Sequence, residues 1–279
     1  MTPTARCAVL GSPISHSLSP VLHRAAYAAT GLDWTYDAVD VDEARLPGFL
    51  ESLDGSWRGL SLTMPLKRTV MPLLDEATDR ARLAGAANTV VLSEGLRTGH
   101  NTDIGGAAAA LRARWDGPCT RAVVVGAGAT AASVVLALVD LGCTEVTLLV
   151  RSPTRARATV EALARHPEPP RVTVALAAEH EPTVTDVLVS TVPAVSQDPL
   201  LPWVRTAGVV FEAVYDPWPT PFAAAAHAAG VPLVGGFDLL LHQAAEQVVL
   251  MTGLGEAPLE AMRAAGRRAL AERSGVTWG

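Results

Sequence analysis

Short β-type runs alternate along the chain with segments whose apolar positions recur at helical spacing. That alternation is the signature of βαβ units and mainly parallel sheets. In the first half the pattern predicts a strand over Ala5–Leu10, then a helix opened by Ser19 as N-cap and Pro20 in the first turn. A strand over Thr35–Val41, a helix near Asp42–Leu53, a strand over Gly59–Thr63 and helical segments across Leu66–Leu83 follow. Next come a strand over Asn88–Leu92, a Gly-rich turn, and an Ala-rich helix from about Ile104 to Arg114. The stretch Trp115-Asp-Gly-Pro-Cys119 then breaks the pattern and reads as a boundary. Beyond it the clearest unit is strand Arg121–Val125, a glycine turn, helix Thr130–Leu141 and strand Glu145–Val150. Further strands are predicted at Arg171–Ala175, Asp186–Ser190, Val209–Ala213 and Val231–Val234, and two helices fill Phe237–Arg273.

Composition narrows the class. At roughly 150 residues per domain, 279 residues imply about two domains, with a core large enough to fold without disulfides or a structural metal. Hydrophobic residues are 49% and charged residues 18% of the chain, inside the globular range. A net charge of −6 supplies no basic field for nucleic acid or a membrane surface. Cys7, Cys119 and Cys143 form no C-x-x-C pair and are expected as reduced, buried thiols. The opening residues hold too short an apolar run for a signal peptide, and no apolar stretch reaches a membrane span. The expectation is a soluble cytoplasmic α/β protein. With neither H-E-x-x-H nor a Cys/His cluster in the sequence, no metal site is expected.

The basic residues are 21 arginines and one lysine, Lys67, and asparagine occurs only as Asn88 and Asn101. Such a skew reads as genome-wide base composition and carries no function by itself, but it acts as a filter. Where only positive charge is wanted, arginine stands; a surviving lysine marks a place where a proton can be exchanged, which arginine resists. Lys67 follows Thr63-Met-Pro65-Leu at a strand-to-helix junction, where a cation is unfavourable to the helix dipole unless something else answers it. Asp103, in His100-Asn-Thr-Asp103 at another such junction, is a candidate partner, and Asn88 opens a further strand. Polar residues at several element ends suit a site at the carboxyl edge of an open sheet.

Gly126-Ala-Gly128-Ala-Thr-Ala131 lies between a strand and a helix. Gly126 permits the tight turn, Gly128 lets backbone approach a pyrophosphate, and the helix N-terminus supplies donors and a positive dipole. The end of the second strand reads Val150-Arg151-Ser152-Pro-Thr-Arg155-Ala-Arg157, with no acid from Val146 to Val160. A ribose 2′-hydroxyl wants a carboxylate there and a 2′-phosphate wants arginine. NADP is therefore the expected cofactor; the alternative is a solvated basic helix start.

Together these residues resemble the shikimate dehydrogenase family across essentially the whole chain. Gly11-Ser-Pro-Ile-Ser-His16-Ser17-Leu-Ser19-Pro20, Leu62-Thr63-Met-Pro65-Leu-Lys67, Gly85-Ala-Ala-Asn88-Thr89, Asn101-Thr102-Asp103, Gly126–Thr130, Val214-Tyr215-Asp-Pro-Trp-Pro-Thr220-Pro221 and Leu240-Leu-His-Gln243 are similar to seven family motifs in the family's order. The resemblance implies that Ser17, Ser19 and Tyr215 hold a substrate carboxylate. It further implies that Thr63, Asn88, Asp103 and Gln243 hold ring hydroxyls and that Lys67 and Asp103 are the catalytic pair. Gly126, Ala127, Gly128, Ala129, Thr130, Arg151, Ser152, Arg155, Thr191 and Gly236 would hold NADP. The implied fold is an N-terminal α/β substrate domain and a Rossmann-type NADP domain, with C-terminal helices returning to the first domain. Boundaries are expected at 1–103 completed by 237–279, and 104–236.

The implied reaction is reversible reduction of 3-dehydroshikimate to shikimate, on the route to chorismate and aromatic amino acids. Negative charge grows on the C3 oxygen as hydride arrives, and a lysine ammonium stabilises it and donates a proton. The implied partner is a small-molecule substrate, with no nucleic acid and no membrane, and the chain is expected as a monomer or homodimer. Three departures stand out: Ser61 where many members have Asn, one glycine fewer in the Gly126–Thr130 turn, and Asp238-Leu239 in place of a common Gly-Met. Two alternatives stay open, a quinate/shikimate dehydrogenase and a non-catalytic shikimate-binding homologue. His16, His100, His242 and the six tryptophans read as scaffold.

Overall fold

A computed structural model describes residues 4–274. In chain order its elements are β1 (Ala5–Gly11), α1 (Ser19–Thr30), β2 (Trp34–Asp40), α2 (Leu46–Glu51), β3 (Trp57–Leu62), α3 (Leu66–Thr69), β4 (Glu76–Ala77), α4 (Asp79–Ala84), β5 (Thr89–Ser93) and β6 (Leu96–His100). They continue with α5 (Thr102–Arg112), β7 (Arg121–Val125), α6 (Ala129–Asp140), β8 (Glu145–Val150), α7 (Arg157–Ala164), β9 (Arg171–Leu176), β10 (Thr185–Ser190), β11 (Ala207–Glu212), α8 (Pro221–Ala229), β12 (Leu233–Val234), α9 (Gly236–Thr252) and α10 (Leu259–Ser274). The chain divides into two compact units: everything up to Thr102 together with everything from Leu240 onward, and Asp103–Leu239.

The first unit holds a six-stranded sheet in the order β2-β1-β3-β5-β6-β4. β1 lies between β2 and β3, parallel to both. It is buried at every position but one, as a central strand covered on both faces must be. The other half of this sheet departs from the parallel expectation. β3 pairs antiparallel with β5, and β5 with β6, through a tight turn at Glu94-Gly95. The segment Leu96–His100 alternates polar and small residues and lacks the apolar run that marks a strand, so periodicity alone does not find it. β4, only two residues long, lies within the span over which helical segments are expected. Leu10, Leu60, Leu62, Leu66, Val70 and Val90 close the core on one face, and α1 packs against α10.

Helix α1 corrects one expectation. Its N-cap is Leu18, with Ser19 already the first helical residue and Pro20 beside it. Ser17, not Ser19, supplies the local acceptor: its Oγ takes the Ser19 N–H at 3.3 Å.

The second unit is an all-parallel sheet in the order β12-β11-β10-β7-β8-β9. Strand order reverses beside β7, the doubly wound pattern in which ligands bind outside the carboxyl ends of the strands. Val123, Val125, Leu188, Val210, Trp203 and Phe222 form its core. Trp115–Cys119 lies inside this unit, and the indole of Trp115 donates to the Pro118 carbonyl at 3.1 Å. Among the described residues no helix is long and apolar enough to cross a membrane.

Candidate active site

In the first unit the functional candidates gather at the carboxyl ends of β1 and β3. Thr63 N–H donates to Leu10 O at 2.9 Å, Ser12 N–H to Met64 O at 3.1 Å, and Leu62 N–H to Asn88 O at 2.7 Å. A side chain at Gly11 would collide with Thr63 and with Met64 O, so glycine is what lets the Gly11–Ser12 and Thr63–Met64 backbones meet. Leu66 N–H closes the turn onto Thr63 O at 2.8 Å, and Lys67 O accepts from Ala87 N–H at 2.8 Å. Lys67 is thereby carried on a four-residue helix held at its N-terminal end, with the residue half-buried.

Asn88 is buried just before β5. Its Oδ1 accepts from the backbone N–H of Thr102 at 2.8 Å and from the hydroxyl of Thr89 at 3.0 Å. Its Nδ2 donates to Thr102 Oγ1 at 2.9 Å and to Gln243 Oε1 at 3.1 Å, and Gln243 Nε2 donates to Leu240 O at 2.9 Å. The structure thus brings Asn88 and Gln243 into direct contact, although they are far apart in sequence. Asp103 follows Thr102 as a buried residue in the first turn of α5, where a carboxylate suits the helix dipole.

Behind Asn88 runs a buried relay that sequence reasoning missed. Tyr36 OH donates to Ser61 Oγ at 2.5 Å and Ser61 Oγ donates to Gln247 Oε1 at 2.6 Å. Gln247 Nε2 then donates to Thr89 Oγ1 at 2.9 Å and to Asn88 O at 3.2 Å. The Ser61 and Thr89 hydroxyls each give one proton and take one. Burial pushes the Tyr36 phenol well above its ordinary range, with the hydrogen bond to Ser61 partly offsetting it. His23 stacks on Tyr36 with ring centroids 3.9 Å apart, and its Nδ1 lies 2.9 Å from Ser19 O. Burial lowers the His23 pKa to about 4, so this ring is neutral scaffold beneath Ser19. Ser19 itself is buried, Ser17 and Thr63 are half-buried, and His16 is exposed.

In the second unit, Gly126 follows β7 at φ 108°, a conformation L side chains rarely adopt. A Cβ there would strike Thr191 Oγ1, whose hydroxyl donates to Val125 O at 3.1 Å. Thr191 therefore packs on the turn. Gly128 caps α6, and the space a Cβ would fill is open. Ala127, Ala129 and Thr130 are half-buried around it. Thr159 of α7, another residue missed in the sequence, holds the turn by donating to Ala127 O at 2.8 Å. Arg151 and Arg155 are exposed after β8, Arg157 pairs with Glu161 at 3.5 Å, and Ser152 Oγ lies 2.8 Å from Thr154 Oγ1. An open glycine at a helix N-terminus, with arginines and no acid beside it, fits a dinucleotide bearing a 2′-phosphate.

Tyr215 is half-buried in the loop after β11, and a buried carboxyl shapes that loop. Glu212 Oε1 accepts Val214 N–H at 2.9 Å, while Oε2 accepts Gln197 Nε2 at 2.7 Å and Thr220 Oγ1 at 2.9 Å. Thr220 is also the N-cap of α8, accepting from Ala223 N–H at 3.1 Å. Gly236 opens α9 so close to Ala213 O and Val214 O, 2.6 and 2.7 Å from an imagined Cβ, that only glycine fits. Asp238, the buried replacement for a common glycine, lies 3.5 Å from Arg114 Nε. Among the described residues no group of three or more His, Cys, Asp or Glu side chains is placed to hold a metal ion.

Comparison with known proteins places this geometry. Residues 9–90 match the family model described as the shikimate dehydrogenase substrate binding domain. The chain is 37% identical to a curated shikimate dehydrogenase (NADP(+)) of Moorella thermoacetica, over 98% of this chain and 96% of that protein. It is similar to the crystal structure of Mycobacterium tuberculosis shikimate dehydrogenase, with TM-score 0.84 and 39% identity over 95% of this chain and 99% of that one. It also resembles the Thermus thermophilus enzyme solved with NADP(H) and shikimate, with TM-score 0.79 and 33% identity over 95% and 99% of the two chains.

Two predictions follow from the buried groups. Ser61→Ala removes the acceptor of Tyr36 OH and the donor to Gln247 Oε1, at about 1–3 kcal/mol each, and denaturant unfolding should show a loss of that order. Burial raises the Glu212 pKa to about 7 from an ordinary 4.5, against the lowering effect of its Val214, Thr220 and Gln197 bonds. The folded state therefore keeps a proton that the unfolded chain has released. This contribution to stability is complete below about pH 4.5 and is lost as pH rises through about 7. Its full size is roughly 3 kcal/mol. Thermal unfolding of wild type and Glu212→Gln across that window should diverge in this sense, the wild type losing stability relative to the variant.

Proposed function

The chain belongs to the shikimate dehydrogenase family, and from that premise we propose that it catalyses the NADP-dependent, reversible reduction of 3-dehydroshikimate to shikimate. The observation that carries the reading is the buried Asn88–Thr102–Gln243 cluster, joined through Ala87 to the short helix that carries the chain's single lysine. Such a matched set of amide and hydroxyl groups recognises a polyhydroxylated ring. Substrate binding is assigned to residues 1–103 completed by 237–279, and NADP binding to 104–236. The chain would act on its small-molecule substrate as a monomer or homodimer.

Each residue has a distinct task. Ser17, Ser19 and Tyr215 bind the carboxylate; Thr63, Asn88, Asp103 and Gln243 orient the ring hydroxyls. Gly126 to Thr130, with Thr191 and Gly236, hold the nicotinamide dinucleotide, and Arg151, Ser152 and Arg155 hold its 2′-phosphate. Bound NADPH supplies the hydride in the forward direction. Lys67 stabilises the charge that grows on the C3 oxygen and gives that oxygen its proton, with Asp103 as its acid–base partner. A guanidinium at position 67 would meet the charge but withhold the proton.

Lys67→Ala tests the assignment. Turnover should fall by about 10²–10⁴-fold, while shikimate affinity measured by calorimetry changes by less than about tenfold. Turnover close to wild type would move the proton-donor role elsewhere. Shikimate binding with no turnover in the wild type either would leave a binding protein in place of an enzyme.

A further inference from the structure

Two of the three cysteines meet at the end of the second sheet opposite the glycine turn. β7 and β8 pair in parallel from Arg121↔Glu145 to Val125↔Leu149. The pairing continues one residue back, where Thr120 O accepts the N–H groups of Thr144 and Glu145 at 3.0 and 3.1 Å. One further step in the same register sets Cys119 opposite Cys143. Neighbouring strands run about 4.8 Å apart, and disulfides span Cα separations of roughly 4.4–6.8 Å. Both residues also converge on one carbonyl: Cys119 Sγ lies 4.0 Å from Leu138 O, which accepts the Cys143 N–H at 2.9 Å. The two side chains lie close enough to interact electrostatically, Cys143 Sγ donates to Glu145 O at 3.4 Å, and neither cysteine is in a disulfide. Cys119 is half-buried and Cys143 buried.

We propose that Cys119 and Cys143 are a dithiol that closes to an intramolecular disulfide by exchange with a small-molecule disulfide of the oxidised-glutathione type. Cys119, the more accessible of the two, loses its proton and attacks one sulfur of the oxidant, forming a mixed disulfide and expelling the first glutathione thiolate; the Cys143 thiol and burial hold its pKa up, so the exchange speeds up as pH rises. The Cys143 thiolate then attacks the Cys119 sulfur, expelling the second. Two cysteine thiols lose two protons and two electrons; the oxidant takes both, leaving as two molecules of reduced glutathione. Cys143, at the entry to the neighbouring strand, is the sulfur placed to close the ring. The bond ties the residues entering β7 to the turn entering β8, closing a loop that contains the Gly126 turn and α6. It touches no residue assigned to substrate or cofactor. Cys7, buried in β1 of the other unit with its pKa pushed by burial to about 11, serves as an internal control.

The test uses the reduced full chain, treated with oxidised glutathione, then denatured, alkylated and weighed. Wild type should lose two hydrogens, take one alkyl group in place of three, and yield a peptide linking Cys119 to Cys143. Cys143→Ser should instead hold one glutathione on Cys119. Oxidation should raise the Tm of wild type by several degrees and leave that of Cys143→Ser unraised, with turnover changed by less than about twofold. Three alkylated thiols in treated wild type, a lasting glutathione adduct on its Cys119, or a link to Cys7 would each overturn the proposal.

Discussion

The side-chain amide of Asn88 is the junction on which the first unit's site depends. A buried amide offers two acceptor positions and two donors, and leaving any of them empty costs about 1–3 kcal/mol. Here Thr102, Thr89 and Gln243 answer them, and these come from the start of α5, from β5 and from α9. Satisfying one residue therefore fixes three elements. The backbone carbonyl of the same residue is shared by Leu62 and Gln247, which ties in β3 as well. No other asparagine but Asn101 exists in the chain; Asn101 Nδ2 donates to Ala86 O at 2.9 Å, so both serve the same loop.

This constraint explains how the chain tolerates serine at position 61. A hydroxyl both accepts and donates, and Ser61 uses both capacities, from Tyr36 and to Gln247. The departure thus alters the layer beneath the site and leaves the amide cluster matched. Asp238 is accommodated differently: its carboxylate faces Arg114 in the turn after α5, so a charge has replaced a small residue without being left unanswered. The turn with one glycine fewer is held from below, since Thr159 donates to Ala127 O and Thr191 to the Val125 O that leads into it.

What the sequence disclosed follows physical lines. β7, α6 and β8 were readable almost to the residue because their apolar runs are continuous and a glycine turn separates them. β6 was hidden because Leu96-Arg-Thr-Gly-His100 owes its strand conformation to pairing with β5, a tertiary cause that periodicity does not carry. Ser19 was misread as an N-cap because capping depends on a backbone angle, and Leu18 takes the helical one. The residues that bear chemistry were readable as motifs. Their supports, Tyr36, Gln247, Thr159 and Glu212, were not, since nothing in their local spacing sets them apart from the other residues of their elements. Glu212 left a faint signal, an acid ending the run Val209-Val-Phe211; only the fold reveals that Gln197 and Thr220 meet it.

The central claim joins a polyol-binding cluster to a cofactor turn flanked by arginine, and one comparison of initial rates tests both. Purified protein would be given shikimate or quinate with NADP⁺ or NAD⁺, and nicotinamide reduction followed by absorbance. The account predicts that shikimate with NADP⁺ exceeds every other combination in kcat/KM by about tenfold or more. Equal or faster reduction of NAD⁺ would contradict the role given to Arg151 and Arg155, and a preference for quinate would contradict the substrate.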